Sequence, residues 1–393
     1  MRGFFSSSIV QREKPTGLIP QCGKCQLYKN CQSPKLPYGG SGEKRVLIVG
    51  EAPGETEDER GRLFIGQEGL FLRETLDAIG IDLDIDTWTT NALICYPGHK
   101  FPDSKQIGYC RPNLTATLTK LKPRIVITLG RAGLDSVLRG SWKDIGATMD
   151  RWTGWQIPLR SFWVCPTYTP AYLLRQKNAI MDRMFKEHLR AAFALVDTIE
   201  PLPDFKELIE IILDEREVYE ALRDLDAKGG WVAVDYETTC LKPEWPKGQI
   251  VSCAVSNGER TISYPWTEKT RIGTGMFLRS KRTRKIASNL KMEERWTVKE
   301  FGHGVTNWGW DTMLAAHCLD NRTGICSLKF QSLVQFGLTS YNTNIEPYLK
   351  NSKGPYNRIA EIDLRQLLFY GGMDVIMEYL LAIKQRKEMG YKE

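Results

Sequence analysis

No stretch of this sequence holds the roughly 20 consecutive apolar residues that cross a bilayer, which excludes a helical membrane protein. Residues 1–14 carry an Arg and a few apolar side chains but neither an apolar core nor a small-residue cleavage site, so the chain reads as cytoplasmic. Internal repeats and low-complexity tracts are absent, and so is the composition of a disordered or fibrous chain. Of 393 residues, 42% are hydrophobic and 26% charged, and a chain of that length is expected to form two domains. The positive excess is small, +7 overall, and nearly all of it lies in the first 200 residues. A basic front half and a near-neutral back half suggest different tasks on one polyanionic partner.

Strand-like runs at Arg45–Val49, Trp88–Leu93 and Arg124–Leu129 alternate with helix-like stretches at Gly69–Ile79 and Lys105–Lys120, the pattern of a parallel sheet covered by helices. A helical stretch, Ile180–Val196, is followed by two closely spaced prolines, which place a linker at 200–204 between domains 1–199 and 205–393. The second α/β unit opens with a helix over Leu208–Ala227. A meander follows (Trp231–Asp235, Gln249–Ser256, Arg260–Pro265), then helices around Asp311–Leu319, Leu328–Phe336 and Leu364–Gln385.

Ten cysteines in such a chain point to ligands or buried thiols rather than disulfides. Cys22 and Cys25 form a C-x-x-C pair with Cys31 just beyond, and Cys95 and Cys110 supply a second pair. Four converging thiolates suit tetrahedral zinc or a 4Fe–4S cluster, and spacing does not separate the two.

Val46–Gly54 runs from a strand into a tight Gly-Glu-Ala-Pro-Gly turn, followed by Glu57-Asp58 and Gly61-Arg-Leu-Phe-Ile-Gly66. With Thr90-Asn91, Cys95, Leu129-Gly130 and Pro170–Arg175, this order of motifs closely resembles the family 4 uracil-DNA glycosylases over about residues 20–195. The resemblance implies a uracil-DNA glycosylase-like α/β/α parallel-sheet domain with a 4Fe–4S cluster on Cys22, Cys25, Cys95 and Cys110, Cys31 being spare. It further implies that Glu51 positions or activates water at the glycosidic carbon, Phe64 stacks on a flipped base and Asn91 reads its Watson–Crick edge. Tyr172, Leu173 and Leu174 would wedge the DNA. Core packing for Phe64 and a strand-end cap for Asn91 are the plainer alternatives. The family carries His-Pro where this chain has Thr169-Pro170. Losing one preorganised donor to the departing base costs about 100- to 1,000-fold in rate, so this domain is expected to bind DNA but excise uracil poorly.

In Val232–Leu241, Asp235 and Glu237 stand at i and i+2 of a strand, so both carboxylates face one side and reach one hard cation, Mg²⁺ or Mn²⁺. The strand is apolar enough to be buried, and burying two acids without a cation is costly. Farther on, Ser288–Glu293 supplies Glu293, and Tyr370 and Asp374 at i, i+4 share a helical face. With Trp310–His317 and Ser327–Phe330, the set resembles the Tyr subtype of the DEDD exonucleases, as in family A DNA polymerases, over about 205–390. That resemblance implies an RNase H-like α/β domain and two metals on Asp235, Glu237, Glu293 and Asp374. Tyr370 would orient the attacking water, Leu241 would wedge the terminal base, and Asp311 would be structural. Glu293 stands where the family has Asp. The basic run Arg279–Lys285 suits either single-strand phosphates or a solvated loop, and Trp296, Trp308 and Trp310 read as packing.

A glycosylase-like domain before a proofreading-type exonuclease resembles the front of certain bacteriophage DNA polymerases. The expectation is a proofreading subunit of a split replicative polymerase, or a fragment of one, acting in the host cytoplasm. Its partners would be single-stranded 3′ ends, primer–template DNA and a separate polymerase chain. The alternatives are a bifunctional glycosylase/exonuclease repair enzyme and a non-catalytic DNA-binding accessory subunit. Degradation of 3′-labelled strands as Mg²⁺ or Mn²⁺ is titrated separates enzyme from accessory.

Overall fold

In the front unit, Val46–Gly50 (β1) and Ile125–Leu129 (β3) are apolar but for Thr128 and buried at every position, as parallel strands covered on both faces must be. Together with Thr87–Asn91 (β2), Ile157–Leu159 (β4) and Phe162–Thr167 (β5) they form a sheet of order β2-β1-β3-β5-β4, in which β4 alone runs antiparallel. This computed structural model describes residues 20–142, 145–146, 148–195, 203–339, 341–350 and 354–391. The chain divides into two units, Met1–Ile199 and Glu200–Glu393, each with its own core. Residues 200–202 of the expected linker and Val196 lie outside the described residues.

Alternation along β1 assigns its two faces. Val46 and Ile48 pack with Leu72, Leu76, Phe185 and Leu189 from the helices Gln67–Asp77 and Ala179–Phe193. Leu47 and Val49 pack with Leu114 from the helix Ser104–Leu121. Because β1 lies between β2 and β3, the strand order reverses there, and the crevice at the carboxyl ends of the strands is where such sheets bind ligands.

The second unit carries Ile209–Ile211 (β6), Gly230–Thr238 (β7), Ile250–Ser256 (β8), Thr261–Pro265 (β9), Thr283–Ala287 (β10) and Trp308–Asp311 (β11), in the order β11-β10-β7-β8-β9-β6. β7, β8 and β9 form the antiparallel meander, while β10 and β11 run parallel to β7. The single helix expected over Leu208–Ala227 is corrected here. Ile209–Ile211 is an edge strand on β9, and the helix is Glu215–Lys228, begun by Asp214, whose carboxylate accepts from the Arg216 and Glu217 N–H groups. An apolar pattern of period two precedes a strong N-cap, and the cap wins the boundary.

The helix Leu364–Glu388 is long and apolar enough by length and composition to cross a membrane, yet 72% of its apolar window is buried inside the protein. It covers one face of the sheet, where Val375 and Ala382 meet Ala233, Ala254 and Ile286. The opposite face, with Val232 and Val234, is packed by Val218, Leu222, Phe277 and Trp296. Alternation therefore turns Asp235 and Glu237, which share parity with Ala233, toward that long helix. The helix passes so near β6 that a Cβ at Gly372 would sit 2.6 Å from Ile209 Cγ2, a contact only glycine avoids.

Candidate functional site

Four strand ends of the front unit meet at the crevice. Glu51 follows β1, and its Oε1 accepts from the Ala132 N–H at 3.1 Å, at the start of the helix Gly130–Leu138. Burial pushes the Glu51 carboxyl up, while backbone donors at Ala132 and Arg131 and the charges of Arg131 and Arg175 pull it down. Asn91 closes β2 and is buried beside Gly50 of β1. A Cβ on Gly50 would lie 2.2 Å from Asn91 Oδ1 and 3.0 Å from Phe64 Cζ, so amide and ring converge over a glycine floor. Phe64 also packs partly against the core and holds φ at 51°, a left-handed conformation that costs a bulky residue energy. Its loop is pinned by Glu57, whose Oε1 accepts from the Ile65 and Gly66 N–H groups at 3.1 and 2.8 Å.

Thr169 lies across Gly130 from Glu51. A Cβ on Gly130, where φ is +81°, would come within 2.2 Å of Thr169 Cγ2 and 2.9 Å of Glu51 Oε1. The threonine thus turns its methyl toward the crevice, while its Oγ1 accepts from the Tyr172 N–H at 3.1 Å and caps the helix Pro170–Gln176. The expected wedge needs one correction. Tyr172 is exposed and Leu174 half-buried, but Leu173 is only 1% exposed and belongs to the core. Three successive helical residues point about 100° apart, so all three cannot face DNA.

Cys22 and Cys25 lie on a one-turn helix, Cys110 on the helix Ser104–Leu121, and Cys95 beyond the end of β2, which stops at Asn91 rather than at Leu93. The four thiols line one cavity with Leu27 and Leu93. The Lys35 N–H donates to Cys95 Sγ at 3.3 Å and Asn113 Nδ2 to Cys110 Sγ at 3.5 Å. Burial pushes the Cys95 thiol up to about 12 and raises Cys110. Cys31 donates instead to the Leu27 carbonyl at 3.2 Å and is not among the cavity's lining residues.

In the second unit Asp235 and Glu237 from β7 and Asp374 from the long helix offer carboxylate oxygens within 4.8 Å of one another. Burial, then the Asp374 charge, raises Asp235 to about 8, with Lys329 opposing. Burial also raises Glu237 and Glu293, whose side chains are 8% and 2% exposed. Tyr370, one turn before Asp374, is buried and its phenol is pushed well up by burial and then by Asp374. Leu241 stands 73% exposed. Asp311 is structural, as read: it accepts from the Asn289 and Leu290 N–H groups and caps the helix Thr312–Leu319.

Three groups at this centre escaped the sequence. Lys329 Nζ and the Tyr341 hydroxyl both donate to Asp374 Oδ1, and Lys329 lies 4.1 and 4.3 Å from the Tyr341 and Tyr370 ring centres. Glu378, one turn past Asp374, is 2% exposed and accepts from the Ser288 N–H. The i, i+4 step from Asp374 signals Glu378, whereas nothing local links Tyr341 to it. The Arg279–Lys285 run is not a phosphate rail along its length. Lys285 lies on β10, fully buried, donating to the Ser280 and Thr283 carbonyls, and burial lowers it to about 8. Arg284 packs over Trp231. The tryptophans pack as expected: Trp296 is fully buried, and the Trp308 and Trp310 N–H groups donate to Glu294 and Gln385.

Numbered from the first strand of the meander, β7–β11 run 3-2-1-4-5 with carboxylates on the central first strand, an RNase H-like arrangement, and residues 209–389 match the family described as 3′-5′ exonuclease. The second unit is a 3′-5′ exonuclease domain. Residues 36–193 match the uracil DNA glycosylase superfamily. The type-4 uracil-DNA glycosylase of Saccharolobus solfataricus is 32% identical over 177 residues, 44% of this chain and 80% of that protein. That of Pyrobaculum aerophilum is 35% identical over 168 residues, 40% of this chain and 82% of that protein. Through its first unit the chain belongs to the type-4 uracil-DNA glycosylase family. Among solved structures, Escherichia coli RNase D, an exoribonuclease involved in structured RNA processing, aligns at 16% identity and a TM-score of 0.36. That alignment covers 46% of this chain and 45% of that one.

Proposed function

We propose that this chain is a metal-dependent 3′→5′ DNA exonuclease that proofreads for a separate polymerase chain, its front unit holding DNA while excising uracil poorly. The observation that carries this reading is the trio Asp235, Glu237 and Asp374, gathered between β7 and the long helix with their oxygens within 4.8 Å, Glu237 and Asp374 buried and Asp235 half-buried. Buried acids at such range fit a hard divalent pair, as does an unpartnered Glu293 Oε2 among the described residues. When bound, two Mg²⁺ or Mn²⁺ ions would supply hydroxide and stabilise the leaving 3′ oxygen. The chain's own residues do the rest: the carboxylates hold the ions, Lys329 and Tyr341 fix the Asp374 carboxylate, Tyr370 orients the water and Leu241 wedges the terminal base. A DNA substrate is supported by the family of the front unit. A phage source and action in the host cytoplasm belong to the same proposal, resting on the order of the two domains.

The test is release of nucleotides from 3′-labelled single-stranded DNA and matched RNA as Mg²⁺ or Mn²⁺ is titrated. Stepwise loss of DNA from the 3′ end, abolished by EDTA, is expected. No degradation at any cation concentration would overturn the proposal in favour of a non-catalytic accessory subunit. A bifunctional repair enzyme is the second reading, favoured by the retained Glu51, Phe64 and Asn91.

The thiols fit a 4Fe–4S cluster held by Cys22, Cys25, Cys95 and Cys110. Among the described residues no three of these sulfurs close to within 4.8 Å, whereas one tetrahedral zinc with bonds of about 2.3 Å would draw them to about 3.8 Å. N–H donors on Cys95 and Cys110 suit charged sulfur ligands. Aerobically purified protein should be brown with broad visible absorbance. Cys95→Ser or Cys110→Ser should bleach it and cost about 4 kcal/mol, lowering Tm by about 10 °C. A colourless wild type carrying one zinc per chain in metal analysis would refute the cluster.

A further inference from the structure

Asp374, the helix-borne member of the trio, already carries two donors on one oxygen. Lys329 Nζ and the Tyr341 hydroxyl both donate to Oδ1, and Lys329 Nζ donates in turn to the Tyr341 oxygen at 2.8 Å, closing a triangle of hydrogen bonds. A carboxylate offers about two lone-pair directions on each oxygen, and Oδ1 gives both to these donors.

The ammonium is also held from outside the carboxylates. Lys329 stands in the first turn of the helix Leu328–Phe336, whose start is fixed by Ser327 Oγ accepting from the Phe330 N–H at 3.3 Å. Its Nζ lies 4.1 Å from the Tyr341 ring centre and 4.3 Å from that of Tyr370, and the two ring centres are 6.0 Å apart. Aromatic faces attract a desolvated cation, so this cage keeps the charge in place. The side chains of Lys329 and Asp374 are 22% and 11% exposed, which leaves little water to screen the pair. Because the trio's oxygens lie within 4.8 Å of one another, an ammonium on Asp374 is a near neighbour of Asp235 and Glu237 too.

We propose that Lys329 is a built-in counter-ion that restrains metal loading: its ammonium holds Asp374 in place of a divalent ion and gives that carboxylate up when an ion enters. This rests on the metal-centre reading of the trio and adds a residue that works against the ion rather than for it. A fixed positive charge a few ångströms from a poorly screened site opposes a dication, which corresponds to at least about tenfold in affinity. The same ammonium keeps three crowded acids from facing one another without a cation. The centre therefore fills only where divalent cation is plentiful, and loading sets when it cuts.

Titration of the full chain with Mn²⁺, followed by electron paramagnetic resonance of free Mn²⁺, tests this without reference to turnover. Lys329→Gln keeps a donor for Asp374 but removes the charge, and should bind Mn²⁺ at least about tenfold more tightly than wild type. Equal or weaker binding by the folded variant is what a residue that merely positions Asp374 would give. That result would overturn the counter-ion role while leaving the trio a metal site. If wild type and variant both bind no Mn²⁺, the metal-centre reading itself falls, and this role with it. If circular dichroism shows Lys329→Gln unfolded, Mn²⁺-soaked wild-type crystals decide. An ion on the trio with Lys329 Nζ drawn away from Asp374 supports the restraint, and an ion bound with that hydrogen bond intact overturns it.

Discussion

Asp235→Ala should lower 3′→5′ degradation of single-stranded DNA by about 10³-fold while leaving the second unit folded. Asp235 belongs to the metal-capable trio, so its removal strips one of the three carboxylates that could hold an ion there. Metal ions contribute several kcal/mol of charge stabilisation to such transition states, and about 4 kcal/mol corresponds to about 10³-fold. The fold does not need the carboxylate, because the apolar residues of β7 and its ladders to β8 and β10 hold the strand. Stability should respond in the opposite sense to activity. With a folded value of about 8 against an ordinary 3.8, Asp235 keeps a proton that the unfolded chain releases. In EDTA the wild type should therefore lose stability as pH rises from about 4 to about 8, and the variant should show a shallower slope. Undiminished nuclease activity in the folded variant would remove Asp235 from the mechanism.

Thr169→His should raise uracil excision by up to about 100- to 1,000-fold, the worth of one preorganised donor to a developing anion. Around position 169 the crevice is intact: Glu51 sits at a helix start, and Phe64 and Asn91 converge on Gly50. What Thr169 presents there is a methyl, its oxygen being engaged as the cap of Pro170–Gln176. Losing that cap costs about 1 kcal/mol, small against the expected gain. Single-turnover release of uracil from a labelled oligonucleotide compares the two. A wild type already as fast as the variant would show that Thr169 is no handicap. A silent variant would mean that the imidazole does not reach the departing base.

Where chemistry follows from spacing along one element, the linear sequence was enough. Period two on β7 put Asp235 and Glu237 on one face, and the step of four on the long helix put Tyr370 and Asp374 together, because those periodicities belong to the backbone itself. The apolar runs of β1 and β3 announced buried parallel strands for the same reason. The grouping of the four cysteines came from the order of motifs, and the chain then brought their sulfurs to one cavity. Other features depended on what arrives from elsewhere in the chain. Lys285 looked like part of a basic stripe until β10 was placed inside the sheet and buried it. Leu173 looked like a wedge until the helix packed that side inward. Tyr341 and Lys329 meet Asp374 across 33 and 45 residues, and Glu378 meets Ser288 across 90. Local periodicity dictates which way a side chain leaves the backbone. Which partner it finds, and whether water can still reach it, is decided only when distant segments pack.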